Sequence, residues 1–210
     1  MKSIKLILLI TIALYSAIIN AQETQKRLGD KPIIDTIGDL SLELPDYYTD
    51  KEIISGTGFS FKNIEDSGNY LTIGNINNMK FDINTLANAP NTEDGFPLGP
   101  IFLSSLAKFT DVNQVYSSFR DALGVSIINQ FKLTHNSASI QPCFIVELNG
   151  TVSEVKFIIR KDALTLSIPP EKLYALELLL KQRVNFIIHT RNWMPPFIDR
   201  VHISVKIKDL

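Results

Sequence analysis

The chain has 210 residues, is 45% hydrophobic and carries 21 basic against 22 acidic side chains, for a formal net charge of −1. This composition fits a globular domain with a conventional core, and the scattered, balanced charge argues against nucleic acid as a main partner. The single cysteine, Cys143, excludes an intramolecular disulfide, and the apolar residues around it predict a buried thiol.

The N-terminal residues have the three-part pattern of a secretory signal peptide. Lys2 and Lys5 form a basic start, Leu6–Ile19 is an uncharged and largely apolar run, and Ala21 is the small residue at the expected cleavage position. An uncleaved membrane anchor is the alternative, but the run has 14 residues, whereas a spanning helix needs about 20. We therefore predict cleavage after Ala21, so that residues 1–21 are removed. The mature chain should be soluble, periplasmic or secreted, with no integral membrane segment.

Residues 33–210 are predicted to form a single domain that begins with short strands. The polar residues 22–32 precede it and should form a mobile tail. Apolar side chains then alternate with polar ones, as in half-buried strands, at 40–44, 59–61, 71–73 and 81–83. Turn residues such as Gly56-Thr57-Gly58 separate these segments, which indicates an antiparallel meander.

A loop and a helix follow the meander. Residues 87–100 contain three prolines and two glycines and therefore predict a long irregular loop. The next segment is compatible with either a helical turn or a strand. A helix is predicted over 111–123, because Asp111 and Gln114 have the spacing of a capping box and the apolar residues share one face. Gly124 should end this helix.

The second half of the domain returns to strands. Asn149-Gly150 lies between two apolar runs and predicts a type I′ hairpin turn, in which both residues take positive φ. Pro169-Pro170 predicts the start of a second helix, about 170–183, which is apolar on more than one side. Further strands are predicted at 152–159, 164–168, 184–190 and 201–207. The predicted fold class is α+β, a mainly antiparallel sheet with two main helices packed on it.

Two local features resemble the PsbP/Mog1-like fold. They are the Phe59-Ser60-Phe61 pattern after a hairpin and the proline-led helix after the last strand of the meander. The resemblance concerns architecture alone and implies no particular activity, because one fold hosts many functions.

One short motif suggests nucleophilic catalysis. Ser105 and Lys108 match S-x-x-K, the serine motif of penicillin-recognising enzymes, in which the lysine helps to activate the serine. No Lys-Thr-Gly element follows it, and the alternative is that both residues form the polar side of a short helix. We therefore assign no catalytic residue.

Neither a metal site nor a cofactor site is predicted. The three histidines, His135, His189 and His202, form no His-x-x-x-His pair, although the last two could meet across neighbouring strands. The candidates for calcium lack the spacing of an EF-hand: Asn91, Glu93 and Asp94.

A single aromatic loop is the candidate contact site. It lies between the last two predicted strands, holds the only tryptophan and comprises Trp193, Met194, Pro195, Pro196 and Phe197. Trp and Met are enriched at recognition surfaces, and paired prolines lower the entropy cost of ordering a loop. The alternative is that the loop folds back and caps the core.

The sequence therefore favours an exported, non-catalytic cell-envelope or secreted protein. It would act as a binding module for an unknown protein or for an apolar or glycan ligand, without a cofactor. One alternative is a small exported hydrolase with a serine-based or histidine-based site. Another is a structural subunit of an envelope assembly.

Overall fold

The computed structural model describes residues 32–37, 40–86, 100–133 and 138–210. The predicted signal peptide lies outside this part of the chain, as do residues 22–31 of the predicted tail. Pro32, the last residue of that predicted tail, is the first residue of a strand. The calcium candidates Asn91, Glu93 and Asp94 and the histidine His135 also lie outside the described residues.

The strands are β1 (Pro32–Ile37), β2 (Leu40–Pro45), β3 (Ile53–Gly56), β4 (Phe59–Ser67), β5 (Tyr70–Asn75), β6 (Ala107–Phe109), β7 (Ser139–Val146), β8 (Val152–Arg160), β9 (Phe186–Ile188), β10 (Ile198–His202) and β11 (Val205–Lys206). The helices are α1 (Pro100–Ser105), α2 (Asn113–Leu133), α3 (Ala163–Leu166) and α4 (Pro170–Arg183). Short 3₁₀ turns lie at Lys80–Asp82 and Ile207–Asp209.

The main sheet has the strand order β10-β7-β8-β5-β4-β3, and β11 also pairs with β7. Its strand pairs are all antiparallel. Tight turns connect β3 to β4 and β4 to β5, and each contains a glycine at positive φ, Gly58 at 83° and Gly68 at 55°. Two small ribbons, β1–β2 and β6–β9, lie outside this sheet.

The core lies between one face of the main sheet and the two long helices. Cross-strand partners on that face are buried, for example Leu71 opposite Ile159 and Ile73 opposite Phe157. They belong to the same hydrophobic cluster as buried residues of α2 and α4, namely Phe119, Leu123, Leu173, Leu176 and Leu180. The α+β prediction is therefore confirmed: two long helices, α2 and α4, accompany a mainly antiparallel sheet in a single compact domain, and α1 and α3 are short additions.

The hairpin between β7 and β8 lies where it was predicted, but the type I′ turn is wrong. Gly150 has φ 88°, whereas Asn149 is not among the described residues with positive φ. The Gly150 N–H donates to the Glu147 carbonyl at 2.8 Å, and the Glu147 N–H donates to the Thr151 carbonyl at 2.9 Å. This is the pattern of a three-residue loop closed by a left-handed glycine, which needs positive φ at only one position.

Helix α2 begins close to its predicted start, and its first segment ends at Gly124, as predicted. The Asn113 N–H donates to Asp111 Oδ1 at 2.9 Å, so Asp111 caps the helix. The predicted capping box does not form, because the Gln114 N–H donates to the Asp111 backbone carbonyl and Gln114 Oε1 has no hydrogen-bond partner within the described part of the chain. Gly124 is non-helical, with φ 78° and ψ 164°, yet helix resumes after it. Burial of Phe131 favours this second segment.

Two predicted strands are helical turns instead. Residues 81–83 lie largely within the 3₁₀ turn Lys80–Asp82, closed by an N–H bond from Ile83 to the Lys80 carbonyl. Residues 164–168 overlap α3, because Asp162 Oδ1 accepts the Thr165 N–H at 3.0 Å and so caps a helical turn. In both segments the apolar alternation was too short to distinguish a strand from a buried turn.

The predicted strand 184–190 does not join the main sheet. It contains β9, which pairs with β6 in a separate ribbon. The segment before α2 forms both of its predicted alternatives, first α1 and then β6. Phe109 and Phe186 bring this ribbon onto Phe144 of β7, with ring centroids 4.5 to 5.8 Å apart. Aromatic packing therefore helps to hold β9 against the core, although β9 is not paired as a strand with the main sheet.

Candidate contact surface

The segment Ile76–Leu86, called the strap below, follows β5 and is fixed by side chains of the sheet. Asn78 Nδ2 donates to the Val155 carbonyl at 2.7 Å. The Met79 N–H donates to Glu154 Oε1 at 3.0 Å, and the Lys80 N–H donates to Glu154 Oε2 at 2.9 Å. A buried carboxylate that accepts two backbone N–H groups makes strong, charge-assisted hydrogen bonds. The strap is therefore tied to β8 at its first turn.

Three further contacts continue this attachment along the strap. Lys156 Nζ lies 4.7 Å from the centre of the Phe81 ring, and Asp82 Oδ2 lies 3.7 Å from Lys62 Nζ. Near the end of the strap, the Thr85 hydroxyl donates to Asp199 Oδ1 of β10 at 3.2 Å. The strap thus reaches from the end of β5 to β10 and has a defined conformation along its length.

Lys80 joins the strap to two other segments. Its ammonium group forms an ion pair and hydrogen bond with Glu147, at the end of the β7–β8 hairpin. The same nitrogen lies 5.4 Å from the centre of the Phe197 ring, within cation–π range. The strap, the hairpin tip and the aromatic loop predicted as a contact site therefore meet around one side chain.

The charge of Glu147 is stabilised by this arrangement. Burial by itself raises the pKa of the Glu147 carboxyl, but the hydrogen bond from Lys80 and its positive charge outweigh it. The net effect is a pKa below the ordinary value for glutamate. The ionised form is therefore favoured, and it is the form that holds Lys80.

The aromatic loop is partly core and partly surface. Phe197 is 5% exposed and Pro195 is buried, whereas Trp193 and Met194 are half-buried and Pro196 is exposed. Met194 packs against the hydrophobic cluster. The loop thus combines the two roles that the sequence left open: Met194 packs on the core and Phe197 is buried, while Pro196 and part of Trp193 face solvent.

The strap and the hairpin tip add exposed apolar side chains around Lys80. Met79 is 72% exposed, and Ile76, Ile83 and Leu148 are each exposed over nearly half of their area. Together with the loop Trp193–Phe197, these four side chains make up what is called the contact surface below. Met79 and Lys80 were missed at the level of sequence because Phe81 and Ile83 were assigned to a strand, and no motif marks them.

The serine motif is not assembled into a buried catalytic pair. Ser105 is the last residue of α1 and Lys108 is the middle residue of β6, so the two lie on different elements. Both side chains are exposed. The prediction that they share one short helix is wrong, because the helix ends before Lys108.

The described histidines lie on different elements of the fold. His189 follows β9 and its N–H donates to the Leu106 carbonyl at 2.8 Å, whereas His202 lies opposite Cys143 in the β10–β7 pair. The two strands do not pair with each other. Within residues 32–37, 40–86, 100–133 and 138–210, no three His, Cys, Asp or Glu side chains are grouped in a way that could hold a metal ion.

Cys143 is buried, as predicted. Burial raises the pKa of its thiol to about 11, against opposing effects of Lys156 and Gln141. The thiol is therefore protonated at neutral pH and behaves as a small core residue rather than a nucleophile.

An acid-rich cleft lies elsewhere on the described surface. It is shallow, has a volume of about 290 Å³ and is lined mainly by Asp50, Glu52, Asn63, Glu65 and Asp66. It lies along the later part of β4 and the segment before β3, and it includes none of the contact-surface residues.

These features define a mainly antiparallel α+β protein with a candidate binding surface at the hairpin end of its sheet. The fold is similar to that of a DUF5043 family protein from Bacteroides uniformis ATCC 8492, with a TM-score of 0.59 and 16% sequence identity over 80% of this chain and 92% of that one. At this identity the likeness shows the fold alone. No protein-family model and no curated protein matches the sequence. In the described part of the chain, none of the helices has the length and hydropathy needed to cross a membrane.

Proposed function

We propose that the protein is an exported, non-catalytic binding module of the cell envelope or the extracellular space. Its ligand is a protein partner or an apolar or glycan molecule that docks on the contact surface. Export is supported by the basic start, the apolar run and the small residue of the N-terminal 21 residues. Binding is supported by the geometry around Lys80.

The observation that carries the proposal is the exposed Met79 on an immobilised backbone. Its side chain is 72% exposed, while its N–H and that of Lys80 are held by the buried Glu154 carboxylate. Removal of exposed apolar groups from water by a ligand lowers the free energy and so favours binding. Because this backbone is already fixed, little conformational entropy remains to be lost on binding.

The aromatic loop supplies the second half of the surface. Met194 packs on the core and the buried Phe197 lies against Lys80, which holds Trp193 and Pro196 in place beside the strap. Methionine adapts to ligands of irregular shape, and tryptophan adds a large, rigid contact area. A surface with both residue types suits a protein segment or the apolar face of a sugar.

Site-specific photo-cross-linking in the producing cell tests this proposal. A photoreactive amino acid at Met79 should give a discrete adduct, because the side chain is in direct contact with the ligand. Val125 is the matched control, since it is 74% exposed but lies on α2, outside the contact surface. Adducts of equal yield and identity at both positions, or none at Met79, would refute the proposed surface.

A further inference from the structure

The tip of the β7–β8 hairpin combines a reactive sequence with an exposed position. Asn149-Gly150 is the one Asn–Gly pair in the sequence, and the Asn149 side chain is exposed. Glycine has no Cβ, so its backbone nitrogen can approach the preceding asparagine's side-chain carbonyl with little steric hindrance. Such attack closes a five-membered succinimide ring and releases ammonia.

The hydrogen bonds of the tip act on this reaction in opposite directions. The Thr151 N–H and hydroxyl donate to Asn149 Oδ1 at 3.0 and 2.7 Å, which withdraws electrons from the carbonyl carbon under attack. The Gly150 N–H, however, donates to the Glu147 carbonyl at 2.8 Å, so the nucleophile is engaged. The attacking nitrogen has to leave this hydrogen bond before it reaches Asn149.

The β9 ribbon restrains the same glycine. The Phe186 N–H donates to the Gly150 carbonyl at 2.8 Å, and Thr151 forms a bridge with Asn185. Gly150 is buried, and a Cβ there would overlap the carbonyl oxygen of Phe186. The tip therefore has little freedom to rotate while it is docked on β9.

We propose that Asn149 is a site of spontaneous deamidation in the folded protein, and that docking of Gly150 on Phe186 controls its rate. The Gly150 nitrogen forms a bond to Asn149 Cγ, the bond from Cγ to Nδ2 breaks, and the proton lost by the Gly150 nitrogen is balanced by the proton that the leaving ammonia takes up. Water then opens the succinimide to aspartate or isoaspartate. The product has a new carboxylate next to Glu147, and the isoaspartate form lengthens the backbone of the turn.

The experiment is peptide mapping by mass spectrometry of the purified protein after incubation at mildly alkaline pH, with and without urea. Asn149 should convert in both samples, and the folded sample should be slower on the order of tenfold, because the tip opens only transiently. Phe186→Ala should accelerate conversion in the folded state. Val115→Ala is the control, since it removes a buried side chain from α2 and not from the tip.

Three results would overturn the proposal. The first is conversion of Asn149 in the unfolded chain without any product in the folded protein, which would show that Asn149 is not a deamidation site of the folded state. The second is equal rates with and without urea, which would show that docking on β9 does not slow deamidation. The third is equal acceleration by Phe186→Ala and Val115→Ala, which would show that global unfolding, and not the contact with β9, determines the rate of deamidation.

Discussion

Gly150 combines a left-handed backbone conformation with a close backbone neighbour. Its φ of 88° lies in the left-handed region, and any Cβ would overlap the Phe186 carbonyl oxygen. Gly58 has nearly the same φ, 83°, but nothing lies within 4 Å of the place where its Cβ would be. The two glycines therefore separate the cost of an unfavourable backbone conformation from the cost of a steric overlap.

Gly150→Val should destabilise the protein strongly. A left-handed conformation costs an L-residue about 1–2 kcal/mol, and displacement of β9 should add to this cost. Denaturant unfolding at constant m-value measures the change, with Gly58→Val as the control that pays the conformational cost alone. Equal shifts of the two midpoints would show that Gly150 is not packed against Phe186.

Phe197 and Trp193 should respond differently to truncation, because the first is buried and the second is half-buried. Phe197→Ala should lower the free energy of unfolding by about 3–5 kcal/mol, as expected for an aromatic ring in a packed site. Trp193→Ala should cost clearly less and should weaken ligand binding. A thermal melt of each variant measures this difference, and a small effect of Phe197→Ala would contradict close packing around that buried ring.

At the scale of elements, the attachment of the strap depends in part on the ionised carboxylate of Glu147. Glu147 and Glu154 hold its first turn through the Lys80 side chain and through two backbone N–H groups. The pKa of Glu147 lies below its ordinary value in the folded protein. Its contribution to stability is therefore present above the pKa of glutamate in the unfolded chain and is lost as the pH falls through the lower pKa of the folded protein.

Glu147→Gln should accordingly reduce the loss of stability on acidification. The pair is partly exposed, so the difference between wild type and variant should be no more than about 1 kcal/mol at neutral pH and should vanish at strongly acidic pH. Urea midpoints recorded from neutral to acidic pH measure it. Parallel pH profiles for the two proteins would show that the Glu147–Lys80 pair does not contribute.

Strands with regular alternation, including the short ones at 40–44 and 71–73, were predictable from the sequence, as was helix α4, whereas two short helical turns were not. Strand β8 and helix α4 follow their predicted bounds closely, because alternation over 152–159 and the Pro169-Pro170 start are strong local signals. The 3₁₀ turn at Phe81 and helix α3 were predicted as strands. The 3₁₀ turn is held by the carboxylate of Glu154, which is distant in sequence, and α3 is capped by the nearby carboxylate of Asp162. The spacing of apolar residues carries no information about either contact.

The contact surface was predictable only in part for the same reason. The loop Trp193–Phe197 could be found because its composition is unusual, but its division into a buried Phe197 and a solvent-facing Pro196 depends on tertiary packing. Met79 and Lys80 gain their position from Glu154 and Glu147, about 70 residues further along the chain. No local pattern contains that pairing.

At the scale of the whole molecule, the proposed export and the proposed binding function are linked. An envelope or secreted location gives the contact surface access to partners outside the cytoplasm. N-terminal sequencing of the protein recovered from the envelope fraction or the medium should begin at Gln22, because Ala21 is the expected cleavage position. A chain that still begins with Met1 in the membrane fraction would contradict the predicted cleavage.

The central claim is that the contact surface binds the ligand of this protein. The most direct measurement is the affinity of the ligand identified by cross-linking for wild type, Met79→Ser and Val125→Ser, each checked for an unchanged melting temperature. Met79→Ser should weaken binding by roughly tenfold, equivalent to about 1.4 kcal/mol, while Val125→Ser should bind like wild type. Equal affinities for all three proteins would contradict the account.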